Sequence, residues 1–504
     1  MAVEAPTRDE LEQLARELGF ALDTRELDAY LALCSELLHA HEVIELLPEP
    51  RAAIRYPRTP GTRPTADENP YNAWHRKTAI KGAPAGALAG RTVVLKDNIM
   101  LAGVPMMNGT TLLEGYVPDM DATVVTRVLD AGGEIAGKAH CEAFCLSAGS
   151  HTNATGPVHN PHRRGYSAGG SSSGCAVLVA TGEVDMAIGG DQGGSIRIPS
   201  AACGTYGMKP THGLVPYTGI VPIEPTIDHA GPMTRSVRDN ALLLEVLAGA
   251  DGYDSRQCAP VVHPYAAMLE GGVGGLRIGL VREGFGRPGA ERTVEDKVRA
   301  AAALFGRLGA TVGEVSIPLH LAGPAINGMV GGDGIVQTLL CGDGFGVGRS
   351  DLYPTSLIDF LHGWRRRAAE LPATVKVAAL LAIFVRSRHG VRYYAKAMNL
   401  ARALTAEYDA ALGHCDLLLM PTMPMTAAPL PGTETSLEEL VRRAFEPVVN
   451  TGATNVTHHP ALSVPCGMRD GLPVGMMLVG RRHDEPTIYR AAYAFEQAAD
   501  WMAL

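Results

Sequence analysis

The chain has 504 residues and a net charge of −9, with 53 acidic against 44 basic side chains scattered along it apart from Arg365-Arg366-Arg367; without a basic stripe for a phosphate backbone, a nucleic-acid partner is excluded. The longest apolar run, 377–385, is about half a membrane span, which excludes a membrane partner. Nine cysteines, an odd number with no Cys-x-x-Cys pair, exclude a disulfide framework and, with no basic-then-apolar leader after Met1, predict reduced thiols and a cytoplasmic protein.

In chain order, Leu11, Leu14 and Leu18, then Leu27, Tyr30, Leu31, Leu37 and Leu38 stand at helical spacing, ahead of a Pro-rich linker at 57–70. From residue 90, β-rich runs alternate with helical ones. The expected order is strand 92–96, helix 122–129, strand 134–136, helix 172–180, strand 184–188, helix 236–247, strand 276–281, helix 294–308 and strand 311–317. Nine glycines fall within 323–348, an Arg- and Ala-rich helical stretch follows, and strands return at 417–420, 461–464 and 474–479. This order predicts an α/β fold with a mixed β-sheet core covered by helices. It divides the chain into an N-terminal helical segment (1–75), a first part of the core (76–322), an inserted smaller helical subdomain (323–412) and a second part of the core (413–504).

Three features carry chemistry. Lys96 closes the apolar run Val93-Val94-Leu95, and two small-residue clusters follow, Gly169-Gly170-Ser171-Ser172-Ser173-Gly174 and Asp191-Gln192-Gly193-Gly194-Ser195-Ile196-Arg197. Small residues let backbone N–H groups crowd around one point, as a developing oxyanion requires, and serine hydroxyls supply a nucleophile and a proton carrier. A lysine acts as a base only where its surroundings favour the neutral amine over an ordinary pKa of about 10.4. The apolar run before Lys96 is such a surrounding; a strand-end lysine reaching to water is the other reading.

The first cluster alone also reads as a serine-capped loop or as a phosphate loop, although it lacks the Gly-Lys-Ser/Thr end of the latter. Gly165-Tyr166-Ser167-Ala168-Gly169 matches G-x-S-x-G, but Asn160-Pro161-His162-Arg163-Arg164 before it is not the strand that motif needs, so Ser167 reads as a chance match.

Taken together, Lys96, the two clusters and Arg197 resemble the amidase signature family, whose pattern is matched from Gly169 through Pro199. The likeness extends to Lys96-Asp97-Asn98, Gly103-Val104-Pro105, Gly213-Leu214-Val215-Pro216 and Asp228-His229-Ala230-Gly231-Pro232. The resemblance implies that Ser195 is the acyl nucleophile, Ser171 a bridging serine on a cis peptide bond and Lys96 the base. It implies an oxyanion hole from the amides of Gln192, Gly193, Gly194 and Ser195, with Asp191, Ser172 and Arg197 orienting the loop. No metal or organic cofactor is implied, and His458-His459 is given no role.

The 189–199 segment and the helical preface look most like bacterial amidases of broad, often aromatic, range. The chain is therefore expected to hydrolyse the C–N bond of aryl amides and anilides with water, and to take aryl carbamates (urethanase activity) and esters as well. The alternative is a glutaminase-type subunit of an amidotransferase, against which the acidic charge weighs. A homodimer is compatible with this reading. Substrate contacts are expected from Leu146, Gly170, Ile227, Asn327 and Asn455, and the 323–348 stretch reads either as a mobile lid or as turns.

Overall fold

The computed structural model describes residues 3–504, so Met1 and Ala2, at the head of the segment read as helical and leaderless, lie outside the described residues. The chain divides into two compact units, one running to Ala53 and the other from Ile54 to Leu504. In the first, α1 (Arg8–Leu18), α2 (Thr24–Leu37) and α3 (His39–Leu46) follow the apolar spacing. Reciprocal capping boxes, Thr7 with Glu10 and Asp23 with Glu26, satisfy the first amides of α1 and α2.

The second unit is built on eleven strands: β1 (Trp74–Lys81), β2 (Thr92–Lys96), β3 (Glu134–Ala139), β4 (Met186–Asp191), β5 (Tyr206–Lys209), β6 (His229–Thr234), β7 (Arg277–Val281), β8 (Thr311–Val315), β9 (Leu417–Pro421), β10 (Ala461–Arg469) and β11 (Leu472–Val479). They form one mixed sheet in the order β1-β3-β2-β4-β6-β5-β10-β11-β9-β7-β8. Parallel pairing joins β2 to β3 and β4, and β7 to β8 and β9; every other pair is antiparallel. Along β4, β5, β6, β9 and β11 every residue is buried, so these strands show no alternation between a buried and an exposed face.

Helices interleave with the strands: α4 (Thr123–Asp130), α5 (Ser173–Ala180), α6 (Arg197–Cys203), α7 (Val237–Leu247) and α8 (Arg292–Arg307), then α9 (Gly323–Ile335), α10 (Thr355–Leu361), α11 (Ala373–His389) and α12 (Arg392–His414), then α13 (Leu437–Phe445), α14 (Gly452–Val456) and α15 (Glu485–Ala498). The α5 helix packs on β2, β3 and β4 and is buried from Ser173 to Val179, as expected of a helix that is apolar on all sides.

The glycine-rich stretch corrects an expectation, because its first half is neither a lid loop nor turns. It forms the 13-residue helix α9, continued by a π-helical turn at Val336–Leu340. Helix formation there costs about 1 kcal/mol per glycine relative to alanine, and packing overrides it. A Cβ on Gly323 would stand 2.7 Å from Ala453 Cβ, and one on Gly334 only 2.0 Å from Glu224 Cγ.

The sheet fixes where chemistry can occur. Lys96 ends β2 and Asp191 ends β4, its parallel neighbour, with Leu95 paired to Ile188. Both carboxyl ends therefore open on the same side, where open α/β sheets bind ligands.

Candidate active site

Lys96 is completely buried, which rules out the reading of a strand-end lysine reaching to water. Its Nζ donates to Ser171 Oγ at 2.7 Å and to Gly190 O at 3.1 Å. The Gly170–Ser171 peptide bond is cis. Directly after it, Ser172 N donates to Ser195 O at 3.2 Å, and Ser172 Oγ accepts from Gly190 N at 3.3 Å. The strand end and both small-residue clusters are thus joined by a single set of hydrogen bonds.

The second cluster is shaped by Asp191, which accepts from Gly194 N (2.8 Å), Ile196 N (3.1 Å), Arg197 Nε (3.0 Å), Arg197 Nη2 (2.9 Å) and Asn455 Nδ2 (2.8 Å). Arg197 is fully buried and also donates to Thr451 O at 3.1 Å and Asn455 Oδ1 at 2.8 Å. Burial opposes the charge on Asp191, but the Arg197 guanidinium outweighs it and holds the carboxyl well below its ordinary 3.8. Gly194 sits at φ +137, and a Cβ there would lie 2.3 Å from Thr451 Oγ1, so only glycine allows this close approach.

The pair sets a stability expectation. Arg197→Met leaves Asp191 buried without its counter-charge and should cost about 3–5 kcal/mol at pH 7. A depressed carboxyl stabilises the fold above its unfolded value and loses that contribution as pH falls through the folded one. The gap between wild type and variant, read from urea unfolding, should therefore narrow as pH falls, first where the uncompensated Asp191 of the variant takes up its proton and then below the ordinary 3.8, where the wild type loses its own contribution. A gap that stays constant with pH would contradict this account.

Gly194 is a correction to the expected oxyanion donors, because its amide is taken by Asp191 Oδ1. The amides of Gln192, Gly193 and Ser195 donate to no protein group among the described residues, and these three residues line a cavity of about 450 Å³. Leu146, Ile227 and Asn327 line it too, and Asn327 Nδ2 donates to Gln192 O at 2.9 Å, fixing that peptide. Two further contacts are corrected. Gly170 is packed beneath the site, where a Cβ would stand 2.9 Å from Ser147 O. Asn455 is buried behind the loop on Asp191 and Arg197, and Asn450 is likewise buried, bonded to Gly284 O and Pro421 O.

Sequence reasoning missed the rest of the wall. Val377, Leu381 and Val385 reach the cavity from one stripe of α11, and Phe445 and Val448 also line it. The signal was present in the apolar run 377–385, whose i, i+4, i+8 positions are these three residues. Cys145 was missed as well; it lines the cavity beside Leu146. Ser167 stays outside it, bonded to Gly149 O at 3.0 Å.

Comparison with known proteins gives the family. The family model described as Amidase matches residues 66–489. The chain belongs to the amidase family. It is a hydrolase acting on amide carbon–nitrogen bonds. It is similar to an enantioselective amidase of Rhodococcus rhodochrous, 44% identical over 98% of this chain and 96% of that protein. Among solved structures, one component of the Thermotoga maritima glutamyl-tRNA(Gln) amidotransferase is 30% identical, with a TM-score of 0.70 over 85% of this chain and 88% of that one. A bacterial aryl acylamidase of the amidase signature family shares the fold, with a TM-score of 0.73 over 99% of this chain and 98% of that one at 24% identity. Among the described residues no helix is long and apolar enough to cross a membrane.

Proposed function

We propose that this amidase is a stand-alone enzyme for bulky, apolar carboxamides, aryl amides and anilides foremost, with aryl carbamates and esters in its range, acting through an acyl-enzyme on Ser195. The observation that carries the reading is the cavity itself. Ser195 and three unpaired amides lie in it, the Lys96–Ser171 contact lies beneath, and the walls are Leu146, Ile223, Ile227, Val377, Leu381 and Val448. Apolar walls around a few converging polar groups suit an aromatic ligand.

In the proposed cycle Lys96, as the amine, takes the Ser171 proton while Ser171 takes that of Ser195, whose Oγ attacks the carbonyl carbon. The amides of Gln192, Gly193 and Ser195 hold the developing oxyanion. Ser171 then returns a proton to the leaving nitrogen, and water, deprotonated through the same pair, hydrolyses the ester on Ser195. Anilines leave more readily than alkylamines, which favours anilides and N-aryl carbamates.

The Rhodococcus enantioselective amidase, similar over nearly the whole chain, supports the amidase reading, whereas the amidotransferase subunit supports the alternative. A panel of acetamide, an acetanilide, an N-aryl carbamate, an aryl ester and glutamine, run on the wild type and on Ser195→Ala, decides. The anilide should be turned over by the wild type alone. Ammonia from glutamine without anilide turnover would favour the glutaminase reading, and equal rates in both proteins would remove Ser195 from the mechanism.

A further inference from the structure

Cys145 takes no part in the cycle above, yet it lines the same cavity as Ser195. It does not stand alone. Cys141 Sγ and Cys145 Sγ both donate to Asn108 Oδ1, at 3.5 and 3.4 Å, and Cys141, Lys96 and Ser171 are the polar neighbours that act on the Cys145 thiol. Asn108 is itself held, its amide donating to Asp97 Oδ2 at 2.8 Å. The turn that presents the thiol contains two successive non-glycine residues in the left-handed region, Phe144 (φ 49) and Cys145 (φ 59). Such a conformation costs about 1–2 kcal/mol per residue and persists where the surroundings enforce it.

The buried thiols of Cys175, Cys203 and Cys466 are pushed up by burial. Burial pushes Cys145 up too, and its interactions with Cys141 and with the Lys96 and Ser171 side chains oppose that rise. A thiol of this kind in a substrate cavity is a soft nucleophile beside a hard one.

We propose that Cys145 is a modification site for α,β-unsaturated amides, which bind with the carbonyl at the amides of Gln192, Gly193 and Ser195 and are captured through the β-carbon. The proposal rests on the reading of this cavity as the acyl site. In the capture step Cys145 passes its proton to the Lys96 amine, and the sulfur lone pair forms a bond to the β-carbon. The electrons of the C=C double bond move to the α-carbon, which takes the proton from Lys96. The net change is addition of S–H across the double bond, with the amide C–N bond intact and nothing oxidised. The adduct fills the cavity that Ser195 shares, so hydrolysis stops.

The test uses cinnamamide, with its saturated analogue 3-phenylpropanamide as control, on the wild type, Ser195→Ala and Cys145→Ser. Wild-type activity toward an anilide should fall with time and not return after gel filtration. The protein should gain one intact cinnamamide, mapped to Cys145, at a rate about tenfold or more above that at the exposed Cys258 and Cys341. The saturated amide should leave no adduct. Ser195→Ala should take the same adduct, because capture needs no acylation, so the proposal stands or falls separately from the role of Ser195. Cys145→Ser should keep its own starting activity through the incubation. Hydrolysis of cinnamamide without an adduct, labelling at Cys258 or Cys341 first, or equal inactivation of Cys145→Ser would each overturn it.

Discussion

Lys96→Met is expected to lower kcat toward an anilide by about 10²- to 10⁴-fold while leaving KM within about twofold, the split expected when a group moves protons without binding substrate. The geometry sets this direction. Lys96 and Ser171 are fully buried under the cavity and are absent from its lining, whereas Ser195 is part of it. Ser171→Ala should show the same split. The double variant Lys96→Met/Ser171→Ala should be little worse than either single one, because residues that act as one unit lose their contribution together. Losses that multiplied would mean separate tasks, and a large rise in KM would place these side chains against the substrate. Methionine keeps most of the lysine volume and Gly190 O keeps its second donor, Ser172 Oγ at 3.2 Å, so the structural cost is chiefly one hydrogen bond, about 1 kcal/mol. Circular dichroism and thermal unfolding would show whether the fold survives it.

The readable part of this protein was the part where chemistry demands particular residue types at fixed separations. Lys96, Ser171 and Ser195 could be singled out because small-residue clusters and a lysine ending an apolar strand are rare in combination, and the fold brings their segments together. Strands such as β2, β7 and β9 were legible because Val, Leu and Ile dominate them. By contrast β6 holds Gly231 and Pro232, which read as breakers, and β5 is only four residues long. Both are strands because neighbours on each side complete their hydrogen bonds, β4 and β5 for β6, and β6 and β10 for β5. That information is tertiary. β1 follows the Pro-rich linker, and its polar sequence WHRKTAIK belongs to an edge strand whose one strand neighbour is β3, with Thr62 bridging to Lys77 on the other side.

The misassigned site residues have one cause. A backbone amide in a glycine loop looks like any other in sequence, and only the Asp191 carboxylate decides that Gly194 is occupied while Gln192, Gly193 and Ser195 are not. Asn455 lay near the expected pocket, but its side chain serves the Asp191–Arg197 pair. Another buried lysine near the site, Lys138, could not be told from a surface residue until the structure placed its Nζ 3.2 Å from Asp97 Oδ1. Burial opposes the ionisation of Asp97, but its neighbours His75 and Lys138 and the Met107 amide outweigh it and hold the carboxyl low.

Placing leucine at positions 328 and 332 should turn the enzyme from bulky amides toward small ones. The glycines of α9 fall into two classes. Side chains at Gly323, Gly331 and Gly334 would meet Ala453, Ile227 and Glu224, at 2.7, 3.4 and 2.0 Å. A Cβ at Gly328 or Gly332 would meet nothing within 4 Å, and both residues line the cavity one helical turn apart. No packing contact explains why these two are glycines, and the visible consequence of their missing side chains is open volume beside Ser195. Gly328→Ala and Gly332→Ala should therefore each stabilise the helix by up to about 1 kcal/mol, whereas Gly334→Ala forces Glu224 to move and should destabilise it. Gly328→Leu/Gly332→Leu should lower kcat/KM for an anilide with a bulky acyl group by about 10- to 200-fold and leave acetamide nearly unchanged. Equal losses on both substrates would show that the acyl group lies elsewhere. A bulky amide turned over at the wild-type rate would show that α9 does not bound the site, and with it the argument for aryl amides from the shape of this cavity would fall.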